Sequence, residues 1–488
     1  MEFIIVYWPY ALAFLSVILG VAAAIHATMT KEEVRTAIGW VGIIILSPIL
    51  GAVIYGIIGI NRIRRKTIKL QRRKMSDLGQ SQSHLYSYDV PLEAIKKKFG
   101  LHARSMKKLG DKVSCRCQTS GNKIEILKGG DTAYNAMLHA IKKANRSILL
   151  ETYIFDHDEI GKKFVQALAD AVKRGVMVRV LIDAVGARYS LPSIVYILKK
   201  NGVPVDVFNG NIIIGLRLPY ANLRTHRKIL TIDGQYAFTG GMNIRSGFSA
   251  AIRGNKVFHD MHFRVEGPAV QDLFYTAAED WAFSSGEKLN TESWSVSAPL
   301  LPSGEGLSVR VVASGPDDHI MEVNQRMLIG AFSVAECNIL IKTPYLLPDR
   351  ELVSALVTAA RRGVRVDIVV PGRNNLRLVD RAMQAQFDQL LRDNCCIWRA
   401  HGSFDHSKLV SIDNYWAYVG SSNIDPRSLR LNFEIDLEVM DREFSKAIAD
   451  DIYLSLVNAY EVKLHVLQKR SFPARLLDHL IWLGSPYL

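Results

Sequence analysis

Ala171-Val-Lys-Arg-Gly-Val-Met-Val178 and Ala359-Ala-Arg-Arg-Gly-Val-Arg-Val366 are one phrase written twice. Each reads as the last turn of an amphipathic helix, a glycine cap and the start of an apolar strand. The flanks repeat too. Ser147–Phe155 predicts a buried strand, Ile160–Arg174 a helix, Gly175 its cap and Val176–Ile182 a second strand. Asn338–Tyr345, Pro348–Arg362, Gly363 and Val364–Val370 restate that order. Strands alternating with helices imply an α/β sheet in each half. A repeat this long means two homologous domains rather than a solenoid. The expected fold class is therefore α/β: two homologous domains with mixed sheets flanked by helices, packed face to face. The expected domains are residues 121–290 and 307–488, joined by the Ser-, Pro- and Gly-rich stretch Lys288–Gly306.

Each half also carries H-x-K-x4-D-x6-G-[GS]-x-N. In the first half the residues are His226, Lys228, Asp233, Gly240, Gly241 and Asn243. In the second they are His406, Lys408, Asp413, Gly420, Ser421 and Asn423, offset by 180 throughout. Thr225–Ile232 alternates with period 2, which predicts a strand with His226 and Lys228 on one face. Asp233-Gly234 and Asp413-Asn414 read as hairpin turns. Small residues near each asparagine let an anion approach closely. Two facing halves then supply two imidazoles, two ammonium groups and two amides. Such a set suits double displacement at a phosphodiester: one imidazole attacks phosphorus and the other protonates the leaving oxygen. The lysines and asparagines would neutralise the developing charge. No carboxylate cluster suggests a metal, and no cofactor is called for.

The charge is uneven. The 488 residues hold 61 Lys+Arg and 47 Asp+Glu, a net +14. Residues 62–110 alone carry +11, residues 1–61 carry −1, and the rest is nearly neutral. A chain that was basic throughout would point to nucleic acid; a basic collar points to an anionic membrane surface. Before the collar, Phe3–Ile25 and Thr36–Ile60 are uncharged. Each is long enough to cross a bilayer as a helix, which predicts two transmembrane helices within 1–61. Tyr7, Trp8 and Tyr10 suit an interface belt, and Pro48 predicts a kink in the second helix. By the positive-inside rule the collar is cytoplasmic, and two spans return the start of the chain to that side. Residues 62–120 are expected to be a basic membrane-proximal segment, with Leu92–Gly110 lying on the membrane. The five cysteines (Cys115, Cys117, Cys337, Cys395, Cys396) fit reduced thiols better than a disulfide framework.

The twin motif resembles that of the phospholipase D superfamily. The flanks sharpen the resemblance to the bacterial cardiolipin synthases: the Arg224–Asp233 block, Thr343–Asp349, Asp425–Glu434, Pro473–Leu477 and the apolar start. The resemblance implies a phosphatidyltransferase of the bacterial inner membrane, multi-pass, with cytoplasmic catalytic domains. It implies transfer of a phosphatidyl group between two phosphatidylglycerol molecules through a phosphohistidine. It casts His226 as nucleophile and His406 as acid and base, although the symmetry allows the reverse. Lys228, Lys408, Asn243, Asn423 and Ser421 become phosphate ligands. Asp233 and Asp413 join the catalytic set by motif, yet their place in the turn argues a structural role. A carboxylate some thirty residues downstream orients each histidine, here Asp260 and Glu434. Gly241 stands where the other half has Ser421, so the halves are not equal. A hydrolase differs from a synthase only in its acceptor, and a nuclease fits poorly with nearly neutral catalytic halves. A non-catalytic scaffold would be expected to lose a motif residue, and none is lost. Phosphatidylethanolamine remains open as a donor.

Overall fold

The computed structural model describes residues 2–31, 33–59, 88–209, 224–299, 301, 305–316 and 322–485. Most of the basic collar, residues 62–87, lies outside them. The apolar start forms a unit of its own.

In that unit a helix spans Glu2–Thr30, of which Tyr7–Thr30 is long and apolar enough to cross a bilayer, with mean hydropathy 2.1. The second apolar run does not form one kinked helix. It breaks at Ser47 into Val34–Leu46 and Pro48–Ile54, followed by a π-helical turn at Tyr55–Gly59. Pro48 lacks the N–H that would continue the first piece. The chain then doubles back. A Cβ on Gly51 would stand 2.8 Å from the Ile44 Cα, so glycine is what lets the two pieces touch. The returning piece runs parallel to the long helix. Pro48 lies against Gly20, the Tyr55 hydroxyl is 2.7 Å from His26 Nδ1, and the Lys31 ammonium donates to the Gly59 carbonyl. Among the described residues, only one helix is long and apolar enough for a full crossing.

The second unit is built on one mixed sheet. Its strands are β1 (Thr119–Lys128), β2 (Ser147–Thr152), β3 (Met177–Asp183), β4 (Val205–Phe208), β5 (Arg224–Thr225), β6 (Ile229–Ile232), β7 (Tyr236–Gly240) and β8 (Met261–Glu266). They continue as β9 (Leu307–Ser314), β10 (Asn338–Lys342), β11 (Arg365–Pro371), β12 (Cys396–Ala400), β13 (Leu409–Ile412), β14 (Trp416–Gly420), β15 (Asn432–Met440) and β16 (Ala459–Glu461). From the centre, the first half runs β1-β8-β7-β6-β2-β3-β4. The second runs β9-β15-β14-β13-β10-β11-β12, with β16 added at its edge. The two orders correspond strand for strand.

The expected face-to-face packing is replaced by an edge-to-edge join. β1 and β9 pair antiparallel, with a register shift between Thr119 and Asn122. Each strand would otherwise leave a row of unpaired N–H and C=O groups, and the join satisfies both. The repeated phrase behaves as its residues dictate. Asp158 and Asp349 cap Glu159–Lys173 and Arg350–Arg361 by accepting from Gly161 and Leu352 N–H. Gly175 and Gly363 take positive φ after the last turn. Phe164 and Leu168 bury in one core with Ile148 and Val180, and Leu352 and Leu356 in another with Ile339 and Val366. Fully burying a side chain of that size contributes about 1.5–3 kcal/mol.

Leu92–Gly110 is also used differently from expectation. It forms the helix Leu92–Phe99 and most of Leu101–Ser114. Ile95, Ala103 and Met106 join the second half's core with Met327, Leu328 and Phe332, so the apolar face is spent on protein. Lys107 is buried between Asp89 and Asp111. The linker folds back onto the first hairpin, where Ser297 N–H donates to the Gly234 carbonyl. None of the five cysteines is in a disulfide.

Candidate active site

The predicted strand Thr225–Ile232 is interrupted. β5 ends at Thr225, β6 starts at Ile229, and His226–Lys228 lie between them. His406–Lys408 precede β13 in the same way. What holds each histidine comes from the opposite half. β5 pairs parallel with β15, and His226 N–H donates to the Phe433 carbonyl. His406 N–H donates to the His259 carbonyl.

The carboxylates cross as well. Glu434 Oε2 lies 2.9 Å from His226 Nδ1, and Asp260 Oδ2 lies 2.8 Å from His406 Nδ1. A carboxylate downstream in the same half was expected to serve each histidine; the pairing is the reverse. The cause is geometric. The joined halves bring β15 beside β5, and His259, just ahead of β8, beside Asp405, across the centre. With Nδ1 engaged, Nε2 is the nitrogen each ring has left for chemistry.

Both imidazoles line one cavity of about 530 Å³. Asn243 and Asn423 line it too. Tyr153 meets the His226 ring edge to face at 5.1 Å, while Phe248 and Phe404 stand 6.0 Å from the His406 ring. Burial, then the charges of Lys228 and Lys408, holds both histidine pKa values well below the ordinary range. This favours the neutral imidazole, the form a nucleophile needs; the partner that acts as acid needs a proton on Nε2, which a bound anionic phosphate favours. Burial also brings Lys228 down to about 7 and Lys408 to about 8, partly opposed by Glu434 and Asp260. It pushes Glu434 and Asp260 up to about 7, against the pull of Lys228 on the first and Lys408 on the second. Four groups poised near neutrality around two imidazoles make a centre that exchanges protons readily.

Each lysine folds under its own histidine. Lys228 Nζ donates to the His226 carbonyl at 2.5 Å, and Lys408 Nζ donates to the His406 carbonyl. Asp233 and Asp413 do not line the cavity. Asp233 accepts from the N–H groups of Asn145, Arg146 and Ser147, and Asp413 from those of Glu336, Cys337 and Asn338. Each pins the entry of a central strand from a turn where its own φ is positive. Ser421 is likewise not placed as a phosphate ligand. Its hydroxyl donates to Glu434 Oε2 at 2.6 Å and accepts from Ile435 N–H. The buried carboxylate takes the hydroxyl that an anion would have used. The first half has no room for this arrangement: a Cβ on Gly241 would stand 2.4 Å from Asp260 Oδ1. The short Asp with Gly and the long Glu with Ser fill matching spaces.

Sequence reasoning passed over Arg227. It is buried, bonds Asp280, and donates to the carbonyls of Glu434 at 3.0 Å and Ser314 at 3.1 Å. It fixes the backbone of the carboxylate that serves its neighbour, His226. Its place inside the motif was the available signal, although the second half has Ser407 there.

Residues 137–257 and 328–453 both match the family model described as cardiolipin synthase, phospholipase D-like domain. Residues 18–59 match that of the phospholipase D-nuclease N-terminal segment. Cardiolipin synthase 1 of Bacillus anthracis is 30% identical, covering 96% of this chain and 92% of its own length. The cardiolipin synthase of Clostridium perfringens is also 30% identical, over 94% of this chain and 95% of its own. The crystal structure of a phosphatidylserine synthase from Haemophilus influenzae superposes with a TM-score of 0.57 at 16% identity. It covers 79% of this chain and all of that one, a likeness of fold.

Proposed function

Because the chain belongs to the cardiolipin synthase family of the phospholipase D superfamily, we propose that it joins two phosphatidylglycerol molecules into cardiolipin and glycerol. One Nε2 attacks the donor's phosphorus. The bond to the headgroup glycerol breaks, and that oxygen takes a proton from the other imidazole. A hydroxyl of the second lipid then returns a proton to the same imidazole and displaces the phosphohistidine. One ester replaces another, and no nucleotide is consumed. The observation that carries this reading is the pair of crossed carboxylates, which leaves both Nε2 atoms for one phosphodiester in one cavity. Lys228, Lys408, Asn243 and Asn423 are the proposed phosphate ligands, with Glu434 and Asp260 as the orienting groups. Domains at 121–290 and 307–488 remain the proposed division.

A phospholipase that uses water is the rival. The apolar wall of Phe248, Phe258, Phe404, Leu347 and Val379 favours a lipid acceptor over water. The apolar start anchors the chain in the bacterial inner membrane, and the collar after it supports a cytoplasmic catalytic unit. Anchoring raises the effective concentration of lipid acceptor. Purified chain given labelled phosphatidylglycerol in liposomes is expected to release glycerol and form cardiolipin. Phosphatidic acid as the main product would establish the hydrolase instead. Adding labelled phosphatidylethanolamine to the same liposomes reads, by mass spectrometry, whether it also serves as donor.

A further inference from the structure

The acceptor proposed above is itself a phosphodiester. A second anion must enter the cavity while the first phosphate occupies the lysines. Lys228 and Lys408 lie buried beneath the histidines, each bonded to its own histidine carbonyl, and are the ligands proposed for that first phosphate. Three arginines stand in the cavity wall: Arg224, Arg245 and Arg427. Arg245 is tied to Asp156 at 3.0 Å, and Arg224 faces Asp183 at 4.0 Å. Arg427 makes no side-chain hydrogen bond or ion pair with any described residue. It is half-buried, nearer to solvent than His226 or His406. Its position is fixed, because Pro426 precedes it and Asp425 caps its short helix by accepting from Ser428 N–H at 2.8 Å.

A second observation points to a ligand at the same wall. Asn432 is 9% exposed and lines the cavity. Its Nδ2 donates to Glu434 Oε1 at 3.3 Å, which turns the amide oxygen the other way, and that Oδ1 has no partner. Asn423, 6% exposed, has an unpartnered Oδ1 too. A buried acceptor left without a donor costs about 1–3 kcal/mol. A phosphate cannot relieve it, since ionised phosphate oxygens only accept. A hydroxyl can, and a glycerol headgroup carries two.

We propose that Arg427 and Asn432 form the acceptor subsite: the guanidinium holds the acceptor's phosphate and the amide oxygen takes a headgroup hydroxyl, so that transfer goes to a phosphatidylglycerol. This rests on the transferase reading. The subsite sets acceptor choice and adds nothing to donor cleavage beyond shaping the cavity. A free glycerol has hydroxyls and no phosphate, so it uses only part of the subsite.

Full-length chain in phosphatidylglycerol liposomes with labelled free glycerol runs two reactions at once. Cardiolipin formation uses the lipid acceptor; exchange of labelled glycerol into phosphatidylglycerol uses the small one. In Arg427→Gln the ratio of cardiolipin to exchange is expected to fall about 10- to 100-fold, the worth of a charge-assisted pair of hydrogen bonds. The lipid concentration for half-maximal cardiolipin formation rises with it. Arg427→Lys keeps the charge without the fork and is expected to fall between. Equal loss of both reactions in both variants would overturn the subsite. A parent chain that makes phosphatidic acid and no cardiolipin would instead overturn the transferase reading.

Discussion

Alanine in place of His226 or His406 is expected to abolish cardiolipin formation, with a fall of at least about 10³-fold in either variant. The two losses have different origins. Without the nucleophile no bond to phosphorus forms, and the buried lysines cannot replace it, since each is held under its own histidine carbonyl. Without the acid, the glycerol oxygen loses the imidazole proton placed for it and must leave close to an alkoxide. Residual turnover should therefore respond to the leaving group. A phosphatidyl ester of a nitrophenol, which departs without a proton, should restore nitrophenol release, the first half-reaction, to the variant lacking the acid and not to the other, while transfer to the acceptor stays slow because the same imidazole is its base. Retention within about tenfold of the parent rate with phosphatidylglycerol, in either variant, would remove that histidine from the mechanism.

The same leaving-group test reads the crossed carboxylates. Glu434→Gln and Asp260→Asn keep shape and lose the charge that sets each imidazole's tautomer, so each is expected to lower turnover about 10²- to 10⁴-fold. The geometry fixes how they group. Glu434→Gln should follow His226→Ala, and Asp260→Asn should follow His406→Ala, in being rescued or not by the nitrophenyl ester. The rescued pair then contains the general acid. Grouping by half, with Asp260→Asn behaving as His226→Ala, would sink the crossing. Loss in Glu434→Gln should be accompanied by little change in overall stability. A carboxylate with a pKa near 7 loses little on being neutralised, and Ser421 and Asn432 still have a partner.

The repeat made much of this visible. The phrase ending at Val178 and Val366 located both helix–strand turns, and the twin motif located both imidazoles and both ammonium groups. Both signals are local, and the physics they encode is local. What escaped depended on joining distant segments. Asp260 and Glu434 could be picked out through the family resemblance, yet which histidine each would meet is set by the β1–β9 join and the β5–β15 pairing. Thr225–Ile232 looked like one strand because alternation continues through His226–Lys228, whose backbone is taken by the other half. Ser421 read as a phosphate ligand because its motif position is small and polar; the length of Glu434 diverts it. Leu92–Gly110 has the amphipathic pattern of a membrane-surface helix, and only the presence of Met327, Leu328 and Phe332 shows that its apolar face is already covered.

The doubled-back run after Ser47 decides which side of the bilayer meets each end of the anchor. Lys31 and Gly59 sit together, so the chain enters the collar at the end where the long helix finished. If that end faces the cytoplasm, Tyr7 faces the periplasm, opposite to the outcome of two full crossings. The two arrangements exchange the labels at the ends of one helix. A membrane-impermeant maleimide on intact cells is expected to modify Tyr7→Cys and spare Thr30→Cys; the reverse pattern would mean that the second run straightens and crosses. The returning piece reaches only the depth of Gly20, about 16 Å from Lys31 along the helix at ~1.5 Å per residue, and so leaves one leaflet to the long helix alone.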